Sequence, residues 1–94
     1  MRVRVKVFAV LRDELGWKER DVDIADGARL RDLLDELGRL RDIILVGGEL
    51  HEDYRIFVNG RYIGFLGGLD TVLSDGDVVA IFPAMAGGVL NGYL

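Results

Sequence analysis

Apolar and polar residues alternate strictly at the start of the chain, where Val3, Val5 and Val7 are separated by basic residues. Such an alternation predicts a β-strand that has one face on a core and the other face open to solvent. Residues 18–24 alternate in the same way and predict a second strand. Between the two strands, residues 9–15 are predicted to form a short helical turn that ends at a glycine.

The middle of the chain changes to a helical period. Four leucines recur at intervals of three and four residues, at Leu30, Leu33, Leu34 and Leu37. This spacing predicts an amphipathic helix whose apolar stripe must cover a sheet. Residues 39–46 continue as a second helical piece.

Strand patterns return in the second half of the chain. Residues 54–58 and 61–65 flank Asn59-Gly60, a pair that tolerates positive φ and predicts a two-residue hairpin turn of type I′. The wholly apolar run 78–82 predicts a central strand that is buried on both faces. The order of elements predicts an α+β fold in which a mixed sheet carries one main helix across a face. This is the architecture of the β-grasp, or ubiquitin-like, fold.

Length and charge narrow the range of functions. A chain of 94 residues predicts one small domain, which leaves little room for an active site built by this chain alone. The formal net charge of −4 and the absence of a basic run argue against a nucleic acid as partner and favour a protein partner with a basic surface. No cysteine is present, which excludes disulfides and thiolate sites.

The termini argue against export and against a membrane anchor. The N-terminus alternates with charges and lacks the apolar core of a signal peptide, so we expect a cytoplasmic protein. Residues 78–94 carry no charge, but Pro83, Asn91 and several glycines interrupt a segment that is already marginal for spanning a bilayer. We therefore expect no membrane partner.

Acidic residues near the only histidine raise the question of a metal site. His51 lies beside Glu52 and Asp53, but one imidazole with loop carboxylates is a weak constellation for a metal. Asp75 and Asp77 lack the spacing of a calcium-binding loop and are predicted to serve a turn. We expect no metal site in this chain.

The strongest chemical signal is the pair Gly87-Gly88, which follows the last predicted strand. Two successive glycines can lie extended in a channel that is too narrow for any Cβ, and they let a terminus reach a remote active site. The alternative is that the pair merely ends a strand. Six further residues, 89–94, follow Gly88.

Four stretches of the sequence carry a family resemblance: VKVFAVLRDELG near the start, GARLRDLLDELG at the helix, IFVNGRYI at the hairpin and LSDGDVVAIFPAMAGG near the end. Through them the chain resembles the MoaD/ThiS sulfur-carrier family, which includes the small subunit of molybdopterin synthase. The likeness divides the chain into a ubiquitin-like domain with its Gly-Gly tail, residues 1–88, and a C-terminal extension, residues 89–94.

The resemblance implies a carrier that is not a catalyst alone and that binds no cofactor itself. In this family an E1-like activating enzyme uses ATP and Mg²⁺ to adenylate the terminal glycine carboxylate, and sulfur then displaces AMP to leave a thiocarboxylate. The match places that carbon on Gly88. The tail that carries the thiocarboxylate then enters the large subunit of molybdopterin synthase, where its sulfur builds the dithiolene of the molybdenum or tungsten cofactor.

The sequence departs from the family pattern at two points. Gly88 is joined to Val89 by a peptide bond and therefore has no carboxylate to activate, and Ala84 replaces the usual second proline. Three interpretations stay open. A processing peptidase removes residues 89–94 and yields a sulfur carrier; the same processing yields a ubiquitin-like protein modifier; or the extension is retained and the protein is an interaction module. The intact Phe-Pro-x-x-x-Gly-Gly sequence favours the first.

A carrier also needs a docking surface. Because Val7 is predicted to face the helix, its neighbour Phe8 points outward, and the last strand brings Phe82 near it. We predict that Phe8, Phe82, Pro83 and Met85 form the partner-binding surface at the base of the tail. The alternative is that these side chains are ordinary core filling.

Overall fold

The computed structural model describes residues 1–84 of the chain. Its strands are β1 (Arg2–Val7), β2 (Glu19–Asp23), β3 (Leu45–Val46), β4 (Glu49–Leu50), β5 (Tyr54–Val58), β6 (Arg61–Tyr62) and β7 (Val78–Pro83). Its helices are α1 (Val10–Leu15), α2 (Leu30–Glu36) and α3 (Gly38–Ile44), and two 3₁₀ turns span Ile63–Phe65 and Gly68–Asp70. Five strands form a mixed sheet in the order β2-β1-β7-β5-β6, while β3 and β4 pair separately.

The first strand lies where its alternation predicts. β1 pairs antiparallel with β2 and parallel with β7, and its three valines are fully buried against the helices. On the opposite face Arg2 donates to Asp23 and Arg4 donates to Asp21, each over 2.9 Å. These hydrogen bonds lower the pKa values of Asp23 and Asp21 from their ordinary range. The basic half of the alternation is therefore matched by acidic residues of β2.

The leucine stripe forms α2, and the second helical piece predicted over residues 39–46 is α3, which ends at Ile44. Leu30, Leu33 and Leu34 of α2 are fully buried, and the backbone turns at Leu37, where ψ is 59°, before α3 begins at Gly38. The predicted mixed sheet with helices across one face is confirmed. The core that joins the two layers includes Val5, Leu11, Leu33, Leu40, Ile44, Ile56, Val79 and Ile81.

The hairpin turn is as predicted, but its second arm is shorter. Asn59 and Gly60 have φ values of 52° and 81°, as a type I′ turn requires. β6, however, ends at Tyr62, and a 3₁₀ turn replaces the predicted strand over residues 63–65. Ile63 is only 4% exposed, so its side chain lies in the core although the strand has ended.

The last strand is central, as predicted, but the prediction that it is buried on both faces is wrong. Val79 and Ile81 face the helices and are fully buried, whereas Val78 and Ala80 are half-buried and Phe82 is 36% exposed. The reason is topological: the helices pack on one face of the sheet, and no element of residues 1–84 covers the other. We call this uncovered side the open face.

Replacing Gly64 with alanine tests the packing at the edge of the open face. A Cβ at this position would overlap Cε2 of Tyr62, so the ring must move. We expect Gly64→Ala to lower the free energy of unfolding by about 1 to 2 kcal/mol, measured by urea denaturation. Gly38→Ala is the control, because its added methyl group would meet no atom within 4 Å and alanine favours a helix. Equal stabilities of the two variants would contradict the expectation.

Candidate functional site

The root of the tail is the end of β7. Pro83 pairs with Tyr54 of β5, and the Ala84 amide donates a hydrogen bond to the carbonyl of Asp53. The backbone is thus held in the sheet up to the last described residue. The predicted site residues Met85, Gly87 and Gly88 lie outside the described residues.

The structure brings the predicted residues Phe8 and Phe82 together. Their rings are stacked with centroids 4.3 Å apart and an interplanar angle of 5°. The contact follows from the parallel pairing of Val7 with Ile81, because the next residue on each strand turns to the open face. Both rings lie at the root of the tail, Phe8 half-buried and Phe82 at 36% exposure. Their role in docking stays a prediction.

Three further aromatic residues extend this stack across the open face. Phe57 meets Phe82 edge-on at 5.6 Å, Tyr62 lies 5.7 Å from Phe57, and Phe65 lies 5.8 Å from Tyr62 and is 87% exposed. We call the row of five rings the aromatic strip; it consists of Phe8, Phe82, Phe57, Tyr62 and Phe65. Such contacts contribute about 0.5 to 1.5 kcal/mol each beyond the burial of apolar area.

Sequence reasoning missed these three residues, although a signal existed for two of them. Phe57 alternates with the buried Ile56 and Val58, and a type I′ turn at Asn59-Gly60 places Tyr62 directly opposite Phe57. The hairpin register therefore predicts this pair on one face. Nothing in the sequence pattern places Phe65, because its position depends on the 3₁₀ turn.

Small side chains beside the aromatic strip create a shallow depression. It has a volume of about 440 Å³ and is lined by Phe57, Gly60, Val78, Ala80 and Phe82. None of these side chains can ionise or act as a nucleophile. The depression can therefore accept an apolar side chain of a partner, but it offers no group for acid, base or covalent catalysis.

The acidic residues considered as metal ligands have structural roles. The Asp53 amide donates to Nδ1 of His51 over 3.0 Å, and the Asp53 carboxylate lies 3.5 Å from the same nitrogen. Asp77 accepts from the Ser74 amide over 2.8 Å, which is the predicted turn role, whereas Asp75 accepts from the distant Arg2 amide of β1, also over 2.8 Å. Among residues 1–84 no three potential ligands lie together, and no helix there is long and apolar enough to cross a membrane.

Comparisons with known proteins agree with these features. A family model described as the ThiS family matches residues 5–88. Small archaeal modifier protein 3 of Haloferax volcanii is 35% identical over 92 residues, covering 94% of this chain and 100% of that protein. Sulfur carrier protein CysO of Mycobacterium tuberculosis is 34% identical over 93 residues, again covering 94% of this chain and 100% of that protein.

Solved structures share the fold. SAMP1 of Haloferax volcanii has a TM-score of 0.79 at 28% identity, covering 94% of this chain and 100% of that chain. A chain of the Amycolatopsis orientalis BexX/CysO complex has a TM-score of 0.74 at 30% identity, covering 92% and 99%. A Pyrococcus furiosus protein described as molybdopterin converting factor, subunit 1, has a TM-score of 0.71 at 37% identity, covering 90% and 99%. The predicted β-grasp fold is confirmed. Because the family model, the full-length relatives and the fold agree, this chain belongs to the ThiS/MoaD family of ubiquitin-like sulfur carriers and small protein modifiers.

Proposed function

We propose that a peptidase removes residues 89–94 and that the protein then carries sulfur as a thiocarboxylate on Gly88. We further propose that it delivers this sulfur to the large subunit of a molybdopterin synthase. The observation that carries the proposal is the extent of the family match, which ends at Gly88 and leaves the last six residues outside. The likeness to the Pyrococcus furiosus protein described as molybdopterin converting factor, subunit 1, supports the choice of acceptor.

The geometry at the end of β7 suits the presentation of a tail. The strand is held in the sheet up to Ala84, and Gly88 comes four residues later. Four extended residues span about 13 Å, enough to carry a terminal carboxylate from the domain surface into a partner's active site. Glycines at the tip let the tail enter a channel that admits no Cβ.

The chemistry divides between this chain and an activating partner. A carboxylate oxygen of Gly88 attacks the α-phosphorus of ATP and releases pyrophosphate, and a sulfur nucleophile then attacks the acyl carbon and releases AMP. An E1-like enzyme supplies ATP and Mg²⁺, because the described residues offer neither a phosphate cradle nor a metal site. The dependence on ATP supports a cytoplasmic location.

Docking is the part that we assign to the domain's own residues. Phe8, Phe82 and Pro83 surround the root of the tail, so a partner that binds these residues also holds the tail at its entrance. The Amycolatopsis orientalis BexX/CysO complex shows that a relative of this fold assembles with another protein. We propose that the E1-like enzyme and the synthase subunit use this surface in turn.

A second candidate function is protein modification, which is favoured by the likeness to small archaeal modifier protein 3 over the full length of that protein. A modifier forms an amide bond between Gly88 and amines of other proteins instead of transferring sulfur. It predicts conjugates of higher mass in cell extracts, and these conjugates must disappear when Gly88 is deleted. If the protein is instead a sulfur carrier, deletion of Gly88 abolishes the activity of enzymes that need the molybdenum or tungsten cofactor, and no conjugates are found in cells with the intact protein.

The intact mass of the endogenous protein tests the proposal. We expect a chain that ends at Gly88 in protein purified from native cells, with one oxygen replaced by sulfur in a fraction of the molecules. The reason is that the family's chemistry requires a terminal glycine. A chain that still ends at Leu94 in every fraction would overturn the proposal and favour an interaction module.

A further inference from the structure

Three basic residues lie beside the Phe8–Phe82 end of the aromatic strip: Lys6, Arg12 and Arg55. Each is half-buried, and none has a carboxylate of residues 1–84 within 4.0 Å. A charge that is partly removed from water without a counter-charge is costly, because burial disfavours the charged form. This cluster of positive charge therefore needs an explanation.

The two arginines are fixed beside the stack by neutral groups. The guanidinium carbon of Arg12 lies 4.9 Å from the centroid of the Phe8 ring, and its Nε donates to the carbonyl of Val7 over 2.8 Å. Arg55 pairs with Phe82 across the sheet and donates to two backbone carbonyls. These contacts orient both guanidinium groups but leave their charges uncompensated within the described residues.

Lys6 lies between the same stack and the charged half of the open face. Its register neighbours are Glu19 of β2 and Ala80 of β7. The Glu19 carboxylate is taken by Arg4, whose Nε lies 3.7 Å away. Lys6 is therefore left with an apolar neighbour on one side and an already engaged carboxylate on the other.

The open face thus divides into two halves of different charge. On β1 and β2 the charges of Arg2 and Asp23, and those of Arg4 and Asp21, neutralise each other. Around the aromatic strip the positive charges of Lys6, Arg12 and Arg55 have no such match within residues 1–84. The excess is local, because the whole chain carries a net charge of −4.

We infer that the aromatic strip docks a protein surface whose apolar centre is bordered by carboxylates, which pair with Lys6, Arg12 and Arg55. The inference rests on the proposed function and specifies the chemistry of the docking partner. The partner's apolar side chains cover the strip and its shallow depression, and its carboxylates supply the missing counter-charges. The partner surface inferred here is acidic, whereas the net charge of the chain predicts a partner with a basic surface.

A single-stranded nucleic acid also combines negative charge with groups that stack on aromatic rings, but the geometry of the stacked Phe8 and Phe82 rings beside the basic residues disfavours it. Stacking requires an accessible ring face. One face of Phe8 is covered by Phe82 at 4.3 Å, and the Arg12 guanidinium lies over the ring at 4.9 Å. A protein surface that meets the edges of the rings fits better.

Charge reversal tests the inference. The probe is the E1-like activating enzyme of the same organism, and the ligand is the chain that ends at Gly88, because this form is the proposed substrate. We expect Lys6→Glu and Arg55→Glu each to weaken binding about tenfold, since each replaces an attraction by a repulsion. We expect the affinity of the parent to fall as salt is raised, because the pairs lie at the rim of the interface. Titration calorimetry at two salt concentrations measures both effects.

Arg61→Glu is the matched control. It makes the same change of charge, but Arg61 pairs with the buried Val58 and thus lies on the side of the sheet away from the strip. We expect its affinity to stay within about twofold of the parent. Lys6→Gln and Arg55→Gln serve as milder variants if a reversal unfolds the domain, which circular dichroism reports.

The outcomes separate the inference from the proposed function. If the parent binds the enzyme but Lys6→Glu and Arg55→Glu bind as tightly as Arg61→Glu, the charge-matched partner is refuted while the carrier function stands. If the parent neither binds the enzyme nor gains a thiocarboxylate, the proposed function is refuted, and the inference that rests on it is refuted with it. Tight binding of a labelled single-stranded oligonucleotide, lost in Arg55→Glu, would replace the protein partner by a nucleic acid.

Discussion

A chain that ends at Gly88 is expected to gain a thiocarboxylate when it is incubated with ATP, Mg²⁺, sulfide and the authentic E1-like activating enzyme. The chain that continues to Leu94 is expected to gain none. The difference is all or nothing, because the carbonyl of Gly88 is an amide in the longer chain and offers no carboxylate oxygen to attack ATP. Intact-mass spectrometry detects the exchange of one oxygen for sulfur.

Two variants of the shorter chain make this experiment specific. Deletion of Gly88 leaves a carboxylate on Gly87 but draws it back by one residue, about 3.3 Å, so charging is expected to fall sharply. Gly88→Ala keeps the length and adds a Cβ, which a narrow channel rejects. Failure of the parent chain with the authentic enzyme would end the sulfur-carrier proposal. Charging of the chain that ends at Leu94 would show that Gly88 is not the site.

Phe82→Ala is expected to weaken binding to the activating enzyme by roughly thirtyfold, the effect of losing about 2 kcal/mol at an interface hot spot. Phe82 contacts two rings of the strip, stacked on Phe8 and edge-on to Phe57, and it stands one residue before the proline at the root of the tail. The substitution removes apolar area from the interface, and it removes the ring against which Phe8 and Phe57 pack. Titration calorimetry with the Gly88-terminated chain measures the affinity.

Val72→Ala is the control for this prediction. Val72 is also an apolar residue on the surface, 54% exposed, but it bridges to Arg29 before α2 and is not part of the aromatic strip. We expect it to bind the enzyme as the parent does. Thermal unfolding of both variants separates weaker binding from lower stability. Equal affinities of Phe82→Ala and Val72→Ala would place the docking surface elsewhere.

Much of the fold could be predicted because its signals are local in sequence. The alternation of β1 determines which residues face the helices, and the leucine stripe determines which side of α2 covers the sheet. The Asn59-Gly60 pair predicts its turn because few residues tolerate two successive positive φ values. The nearness of Phe8 and Phe82 could be predicted as well, since it needs only two alternations and two neighbouring strands.

Other features could not be predicted because they depend on competition between elements. The second arm of the hairpin ends at Tyr62, where a 3₁₀ turn replaces the apolar strand pattern of residues 63–65. β7 reads as buried on both faces because its residues are all apolar, yet the helices can cover only one side. An apolar run shows that a strand can be buried on either face, and only the packing of the whole chain decides which face is covered.

The sequence by itself determined the sum of the charges, the period of each element and the presence of Gly87-Gly88 after the last strand. Only the tertiary structure decided where the charges lie. The register of β1 with β2 places Asp23, Asp21 and Glu19 opposite Arg2, Arg4 and Lys6. Arg4 contacts both Asp21 and Glu19, so Lys6 has no ion pair within residues 1–84, and an acidic protein presents a basic surface beside its aromatic strip. The physical reason is that net charge adds over the chain, whereas a partner meets the local field of one face.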